Sequence, residues 1–292
     1  MRRVIPFTKM VGTGNDFIVV DTARHPELKR LSARWAQVSR RVCARHTGVG
    51  ADGLLVLEPS RTADVRMRVF NPDGSEARMC GNGARCVVRY MVEGGRSKME
   101  GQAKGRGGHV RIETKAGVME ARVRGTRVAM RMPDPAVAGL KTPVRLNGAV
   151  YAVDVVDTGV PHAVTFVKDL ERTDVAGVGR ALRRHAVFRP CGANVDFVQA
   201  QGARAIAIRT YERGVEGETM SCGTGVAASA VAHALRRASP GPARIEVTTR
   251  SGERLAVSLQ VDHRGPAPTV SRLVLEGDAR RVFDGTVPWP IV

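Results

Sequence analysis

The sequence predicts an α/β (α+β) fold built from two pseudo-symmetric halves, and three observations carry that prediction. Cys80-Gly81-Asn82-Gly83 and Cys222-Gly223-Thr224-Gly225 are the same Cys-Gly-polar-Gly turn, set 142 positions apart (222 − 80), close to half of the 292-residue chain. Each cysteine follows an acidic residue, Glu76 or Glu218, by four positions, with strand-like segments before it and a helix-like stripe after it. Gly14-Asn15-Asp16-Phe17 is echoed by Gly192-Ala193-Asn194-Val195-Asp196-Phe197. The interval from Asn to Cys differs between the echoes, 65 (80 − 15) against 28 (222 − 194), so the halves are expected to have diverged.

Taken in order, Val4–Lys9 and Phe17–Asp21 read as strands around the loop Gly12-Thr13-Gly14-Asn15-Asp16. Ser32 is placed to cap a helix running to about Arg45, with Leu31, Trp35, Val38 and Val42 on one face. Leu54–Leu57 and Val65–Phe70 read as strands, and Asn71-Pro72-Asp73-Gly74 turns the second toward Cys80. A helix is expected from Gly81 to about Val92, burying Ala84, Val87, Val88 and Met91. The stretch from Ser97 to His109, rich in Gly, Lys and Arg, reads as an exposed loop. Val110–Thr114, Met119–Val123 and Val128–Met132 read as a strand meander, and Pro133-Asp134-Pro135 as the crossover between domains. Strands near Tyr151–Val156 and Ala163–Val167, a helix from about Asp174 to Arg184, and strands near Val195–Val198 and Ala205–Tyr211 repeat the recipe. A helix from Gly223 to about Arg236 and a set of closing strands complete the chain.

At 43% apolar residues the chain has enough hydrophobic material for packed cores. No run of about 18 apolar residues is present, so no membrane span is expected. The opening residues lack the sustained apolar stretch of a signal peptide. Five cysteines scattered over a long chain do not form a disulfide framework and point to a reducing cytoplasm. The net charge of +18 raises the possibility of a nucleic-acid-binding protein. Against it, the arginines are dispersed in runs no longer than two, and aromatics are only 4%, too few to supply stacking platforms. The charge is better matched to a solvated surface that draws in a dicarboxylate.

A thiol at a helix N-terminus is favoured as thiolate by the unpaired N–H groups and the macrodipole. The same N–H groups grip a carboxylate, and the glycines let the backbone approach it closely. Each turn therefore offers a base and half of an oxyanion site. Two such thiols on opposite sides of a planar carbanion, one ionised and one protonated, would pass a proton across it, which is the chemistry of a cofactor-free racemase or epimerase. For Cys43, Cys86 and Cys191 a small core or surface residue is the simpler reading. A redox dithiol at Cys80 and Cys222 competes with the acid/base reading. No Cys-x-x-Cys pair is present and the seven histidines are not at ligand spacing, so no metal is expected.

The ordered set of motifs resembles the diaminopimelate epimerase family, of the cofactor-independent amino-acid racemase superfamily, nearly end to end. The resemblance rests on Phe70-Asn71-Pro72-Asp73-Gly74-Ser75-Glu76 through Cys86 and on Tyr211-Glu212-Arg213-Gly214 through Gly225. Lys9-Met10 with Gly14-Asn15-Asp16-Phe17, and Gly48-Val49-Gly50-Ala51-Asp52-Gly53, add to it. It implies interconversion of LL- and meso-2,6-diaminopimelate, a step of lysine and peptidoglycan-precursor biosynthesis, with Cys80 and Cys222 as the catalytic acid/base pair and no cofactor. It further implies that backbone at Gly81-Asn82 and Gly223-Thr224 holds the reacting carboxylate. Asn15, Asn71, Asn194, Glu212 and Arg213 would hold the other amino and carboxylate groups, and His162 and Glu212 would tune the thiols. In the fold it implies, strands of each domain wrap a central helix and the active site lies in the interdomain cleft. The domains would be 1–130 plus 279–292, carrying Cys80, and 131–278, carrying Cys222, in a homodimer. A sister racemase acting on another amino acid is the alternative. Three departures stand out: Val160 where the family often has Asn, one extra residue between Glu212 and Cys222, and Phe283 where a dimer-linked Tyr is frequent.

Overall fold

The computed structural model describes residues 3–94, 108–146, 148–237, 239–265 and 268–289. Among them it contains eighteen strands and four α-helices. The chain divides into two compact units, Met1–Met130 with Gly277–Val292, and Arg131–Glu276.

In the first unit β1 (Arg3–Gly12) and β2 (Asn15–Asp21) form an antiparallel hairpin. A 3₁₀ segment (Pro26–Arg34) and helix α1 (Trp35–Val42) then return the chain to β3 (Gly53–Glu58), parallel to β2. β4 (Val65–Phe70) runs antiparallel to β3, and the short β5 (Glu76–Ala77) folds back on it. Helix α2 (Gly81–Glu93) follows, then β6 (His109–Thr114), β7 (Gly117–Arg124) and β8 (Arg127–Arg131), an antiparallel meander whose first strand lies parallel to β4.

The second unit opens with β9 (Ala136–Leu146) paired to β10 (Ala149–Asp157), which pairs with β11 (Pro161–Phe166). Helix α3 (Val175–Arg183) leads to β12 (Asn194–Ala200), parallel to β11. β13 (Ala205–Glu212) and β14 (Gly217–Thr219) form the hairpin before helix α4 (Gly223–Arg236). β15 (Gly241–Thr248), parallel to β13, β16 (Arg254–Asp262) and β17 (Thr269–Asp278) close the unit as a meander. β18 (Arg280–Trp289) then pairs antiparallel with β1 of the first unit.

The pairing scheme repeats strand for strand, β1 to β8 matching β10 to β17, with α1 matching α3 and α2 matching α4. β18 stands beside β1 as β9 stands beside β10. Alternation in the strands explains the layers. In the first unit Val19, Leu55, Leu57 and Met67 point to α2, packing on Ala84, Val87, Val88 and Met91. Their neighbours Ile18, Val20, Leu54 and Val56 point the other way, to Trp35, Val38 and Val42 of α1. In the second unit Val164, Val198, Ile206 and Ile208 meet α4, while Ala163, Val195, Phe197 and Tyr211 lie on the α3 side. Each central helix is wrapped by strands, and α4 is buried continuously from Gly225 to Leu235, which its small Ala, Val and Ser side chains permit. Full burial of one such Val, Leu or Met contributes about 1.5–3 kcal/mol.

Four sequence expectations change. Ser32 is not a cap: it lies inside the 3₁₀ segment that Pro26 starts, and the α-helical part ends at Val42, three residues before Arg45. The stop comes from the following turn, where the Gly50 N–H donates to the Val42 carbonyl (2.9 Å). β9 does not show in the sequence as a strand, because Gly139 and Pro143 interrupt its apolar residues, of which Val144 is buried and Leu140 exposed. The expected loop from Ser97 lies outside the described residues as far as 107, and His109 already belongs to β6. Finally, the sequence echo aligns non-equivalent strands. Asn15 opens β2, whereas Asn194 opens β12, the counterpart of β3.

Candidate active site

In the first unit the β4–β5 hairpin delivers Cys80. Its turn is held by Asn71, whose backbone N–H and side-chain Nδ2 donate to the Ser75 carbonyl and hydroxyl (both 2.9 Å). Behind it Arg68 grips Glu76 with Nε and Nη2 (2.8 and 3.1 Å), and Lys115 adds a second cation at 2.7 Å. The Arg68 hydrogen bond is the chief reason the Glu76 carboxyl is held at about 2. Cys80 is the N-cap of α2: its backbone is extended and its Sγ accepts from the Gly83 N–H at 3.4 Å. Beside it Asn82 donates to Asn15 Oδ1 (2.6 Å) and accepts from Arg85 Nη2 (2.5 Å), and Asn15 in turn donates to Asp52 Oδ2 (2.9 Å). That chain fixes the orientation of both amides. Lys9 and Arg45 pair with Asp16 at 2.6 and 3.0 Å, and against its burial they hold that carboxyl below the ordinary range.

In the second unit the β13–β14 hairpin does the same work. Arg209 grips Glu218 with Nε and Nη2 (2.7 and 2.8 Å), at positions equivalent to Arg68 and Glu76. Cys222 is the N-cap of α4, extended in backbone, with Sγ 3.4 Å from the Thr224 hydroxyl. It is buried, and burial pushes its thiol well above the ordinary range, reinforced by the nearby Glu212 and Asp196. Glu212, half-buried, is itself raised by burial. Under the α4 turn lies Asp196, wholly buried, which meets His162 Nδ1 through Oδ2 (2.6 Å) and accepts from the Thr210 hydroxyl through Oδ1 (2.7 Å). On the other side of the ring Asn194 Nδ2 stands 3.4 Å from His162 Nε2, and Asn194 Oδ1 accepts from the Arg213 N–H at 2.8 Å.

The sequence candidates thus fall into two groups, one in each unit. Asn15, Asn71, Cys80, Gly81 and Asn82 belong to the first unit, and His162, Asn194, Glu212, Arg213, Cys222, Gly223 and Thr224 to the second. Asn15 and Asn82 touch each other, whereas the Asn71 amide is engaged in its own turn. The Arg213 guanidinium donates from Nη1 to the Cys191 carbonyl (3.1 Å). Val215 and Glu216, where the extra residue was placed, lie in the exposed turn between β13 and β14. Sequence reasoning did not assign a role to Asp52, Arg85, Thr210 or Asp196. Asp196 sits between Val195 and Phe197 in the sequence, and what sets it apart is its wholly buried position beside His162 and Thr210. Among the described residues no three His, Cys, Asp or Glu side chains gather as a metal site would require, and no helix is long and apolar enough to cross a membrane. A surface cavity of about 410 Å³ lined by Arg204, Arg244 and Arg272 contains none of these groups.

The family description of diaminopimelate epimerase matches residues 7–135 and 155–282. The chain belongs to the diaminopimelate epimerase family. It is 39% identical over 289 residues to a diaminopimelate epimerase of Aquifex aeolicus, covering 96% of each chain. A diaminopimelate epimerase of Methanocella arvoryzae is 43% identical over 282 residues, covering 91% of this chain and 95% of its own. Among solved structures, a phenazine biosynthesis protein of the PhzF family from Bacillus anthracis superposes with a TM-score of 0.70 at 17% identity, covering 98% of this chain and 99% of its own. A hydroxyproline epimerase from Agrobacterium vitis gives 0.69 at 20% identity, covering 99% and 94%. At those identities the two solved structures share the fold of this chain.

Proposed function

We propose that this member of the diaminopimelate epimerase family interconverts LL- and meso-2,6-diaminopimelate, with Cys80 and Cys222 as the two acid/base groups. The observation that carries the reading is the repeated N-cap: two cysteines on equivalent hairpins, each opening a helix through Gly-polar-Gly. One thiolate takes the α-proton; the electron pair delocalises into the carboxylate, which the free N–H groups at Gly81-Asn82 and Gly223-Thr224 stabilise. The opposite thiol then returns a proton to the other face, leaving the configuration inverted and the enzyme with its two protonation states exchanged. Burial and the neighbouring carboxylates keep Cys222 a thiol in the empty enzyme, which suits it to give the proton in the first turnover. Cys80 is then the base in that direction. Asn15, Asn82 and Asn194 supply oriented amides, and Arg213 and Glu212 supply the charges that would pair with the distal carboxylate and ammonium of a diamino dicarboxylate.

The reading extends to lysine and peptidoglycan-precursor synthesis in the cytoplasm, for which five free thiols are suited. It extends also to a homodimer, supported by the exposed apolar pair Val282 and Phe283 on β18. The test is incubation of the reduced protein with LL-diaminopimelate in deuterated water. Meso product carrying deuterium at the inverted carbon is expected; a folded, reduced protein that neither exchanges nor epimerises it overturns the reading.

A further inference from the structure

The hydrogen-bond chain beneath α4 can be followed atom by atom from a group whose polarity is fixed. The Arg213 backbone N–H is a donor, so the Asn194 atom it meets at 2.8 Å is the side-chain oxygen, and Asn194 Nδ2 faces the histidine. That nitrogen, a donor, lies 3.4 Å from His162 Nε2, so Nε2 must present a lone pair. The ring proton therefore sits on Nδ1 and is donated to Asp196 Oδ2 at 2.6 Å. The other Asp196 oxygen accepts from the Thr210 hydroxyl at 2.7 Å, completing a chain in which no two donors face each other. Asp196 is wholly buried and held from three sides: His162, Thr210 and the backbone of α4, where a Cβ on Gly225 would stand 2.3 Å from Oδ1. Its counterpart in the first unit is Leu55, so a carboxylate here is not a demand of the fold.

We infer that Asp196 is a positioning residue of the epimerase, fixing His162 as the neutral Nδ1–H tautomer and, through it, the side chain of Asn194 beside Arg213. Like the mechanism it serves, this rests on the epimerase reading. Among the described residues the ring faces Asp196 on β12 and Glu212 on β13, and those two carboxylates in turn face Cys222 at the start of α4. By removing the acceptor that meets Nδ1, a change at Asp196 would free the ring to protonate on Nε2, setting donor against donor at Asn194 and loosening the arrangement that Asn194 and Arg213 build.

The test combines ¹⁵N spectra of histidine-labelled full-length protein with kinetics on LL-diaminopimelate. The wild type is expected to show His162 protonated on Nδ1 and bare on Nε2, a reading that needs no substrate. In Asp196→Leu, which copies the other unit, the tautomer should be lost and kcat should fall by about 10²-fold with KM changed less than about threefold. In Asp196→Asn the side-chain oxygen still accepts from Nδ1 and the amide turns to Thr210, so the tautomer and at least about a tenth of kcat should survive. A wild-type proton on Nε2 overturns the inference. So does a folded Asp196→Leu protein with kcat within about twofold of wild type, or an Asp196→Asn protein that keeps the tautomer yet loses as much kcat as the Leu variant. Should the wild type prove inert toward diaminopimelate while His162 carries its proton on Nδ1, the epimerase reading fails and the tautomer assignment stands.

Discussion

The turns at Cys80 and Cys222 are the same backbone on different floors. Both open a helix through Gly-polar-Gly, and both follow a hairpin clamped by a two-pronged Arg–Glu pair. Beneath the third helical residue they part: Gly83 rests on the Leu55 side chain, Gly225 on the Asp196 carboxylate. The first turn takes its polar partners from the side, through Asn82 and Asn15, and the second from below, through Asp196 and His162. The duplicated motif sets where a thiol stands; at Cys222 burial, with Glu212 and Asp196 beside it, raises the thiol above its ordinary range.

The harshest test of that equivalence is to remove each thiol in turn. Cys80→Ser and Cys222→Ser are both expected to lower epimerase turnover by about 10³-fold or more while unfolding at the wild-type temperature. Wild-type turnover in either variant breaks the pairing of the two turns. Next come the floors. Gly225→Ala drives a methyl against a carboxylate that His162 and Thr210 hold in place, and should cost about 2–3 kcal/mol in chemical denaturation. Gly83→Ala meets only the end of a leucine and recovers helix propensity, so it should stay within about 1 kcal/mol. Equal losses would mean the floors do not differ mechanically.

The clamps should behave alike. Arg68→Met and Arg209→Met should each cost about 1–2 kcal/mol at neutral pH, since each partly buried glutamate loses its two-pronged partner and keeps a single-pronged cation, Lys115 at 2.7 Å for Glu76 and Arg250 at 3.6 Å for Glu218. The Glu76 carboxyl is depressed in the folded protein, so its contribution is complete above its ordinary range near 4.5 and is lost as pH falls through about 2. The gap between wild type and Arg68→Met should close over that window, and a gap independent of pH would show that the pair is not the source. The smallest effect is kinetic. Iodoacetamide followed by mass spectrometry should label exposed Cys191 first and half-buried Cys80 before Cys222, whose rate should climb only above the ordinary thiol range.

Much of this was legible in the residues themselves. The unbroken apolar run Leu54–Leu57 marks a strand buried on both faces, between α1 and α2, and the stripe Ala84, Val87, Val88, Met91 marks a helix that buries one face against the sheet. The two Cys-Gly-polar-Gly turns marked the half-sites for the same reason that they form N-caps. What escaped is what depends on partners distant in sequence. Asp196 looks like any acid in Val195-Asp196-Phe197 until His162 and Thr210 are brought to it by β11 and β13. β9 buries Val144 and packs Leu146 and Val137 on the core, but Gly139 and Pro143 break its pattern, and its place is set by the edge of β10. The echo of Gly14-Asn15-Asp16-Phe17 at Gly192 pointed to duplication through a false alignment, since the true counterparts are set by sheet register. There Phe17 and His162 hold the same place.

The exchange of β18 for β9 bears on how the chain is born. The second unit is continuous, so it can close as soon as residues 131–276 have left the ribosome. The first unit is made earlier yet must wait. Ile5 and Phe7 on β1, and the layer completed by Trp289, lack their cover until β18 has been synthesised on the far side of the whole second unit. Translation order and folding order are therefore inverted: the half that carries Cys222 is the first to be finished, and a nascent chain stalled before Arg280 would hold a complete second unit and a first unit still lacking β18.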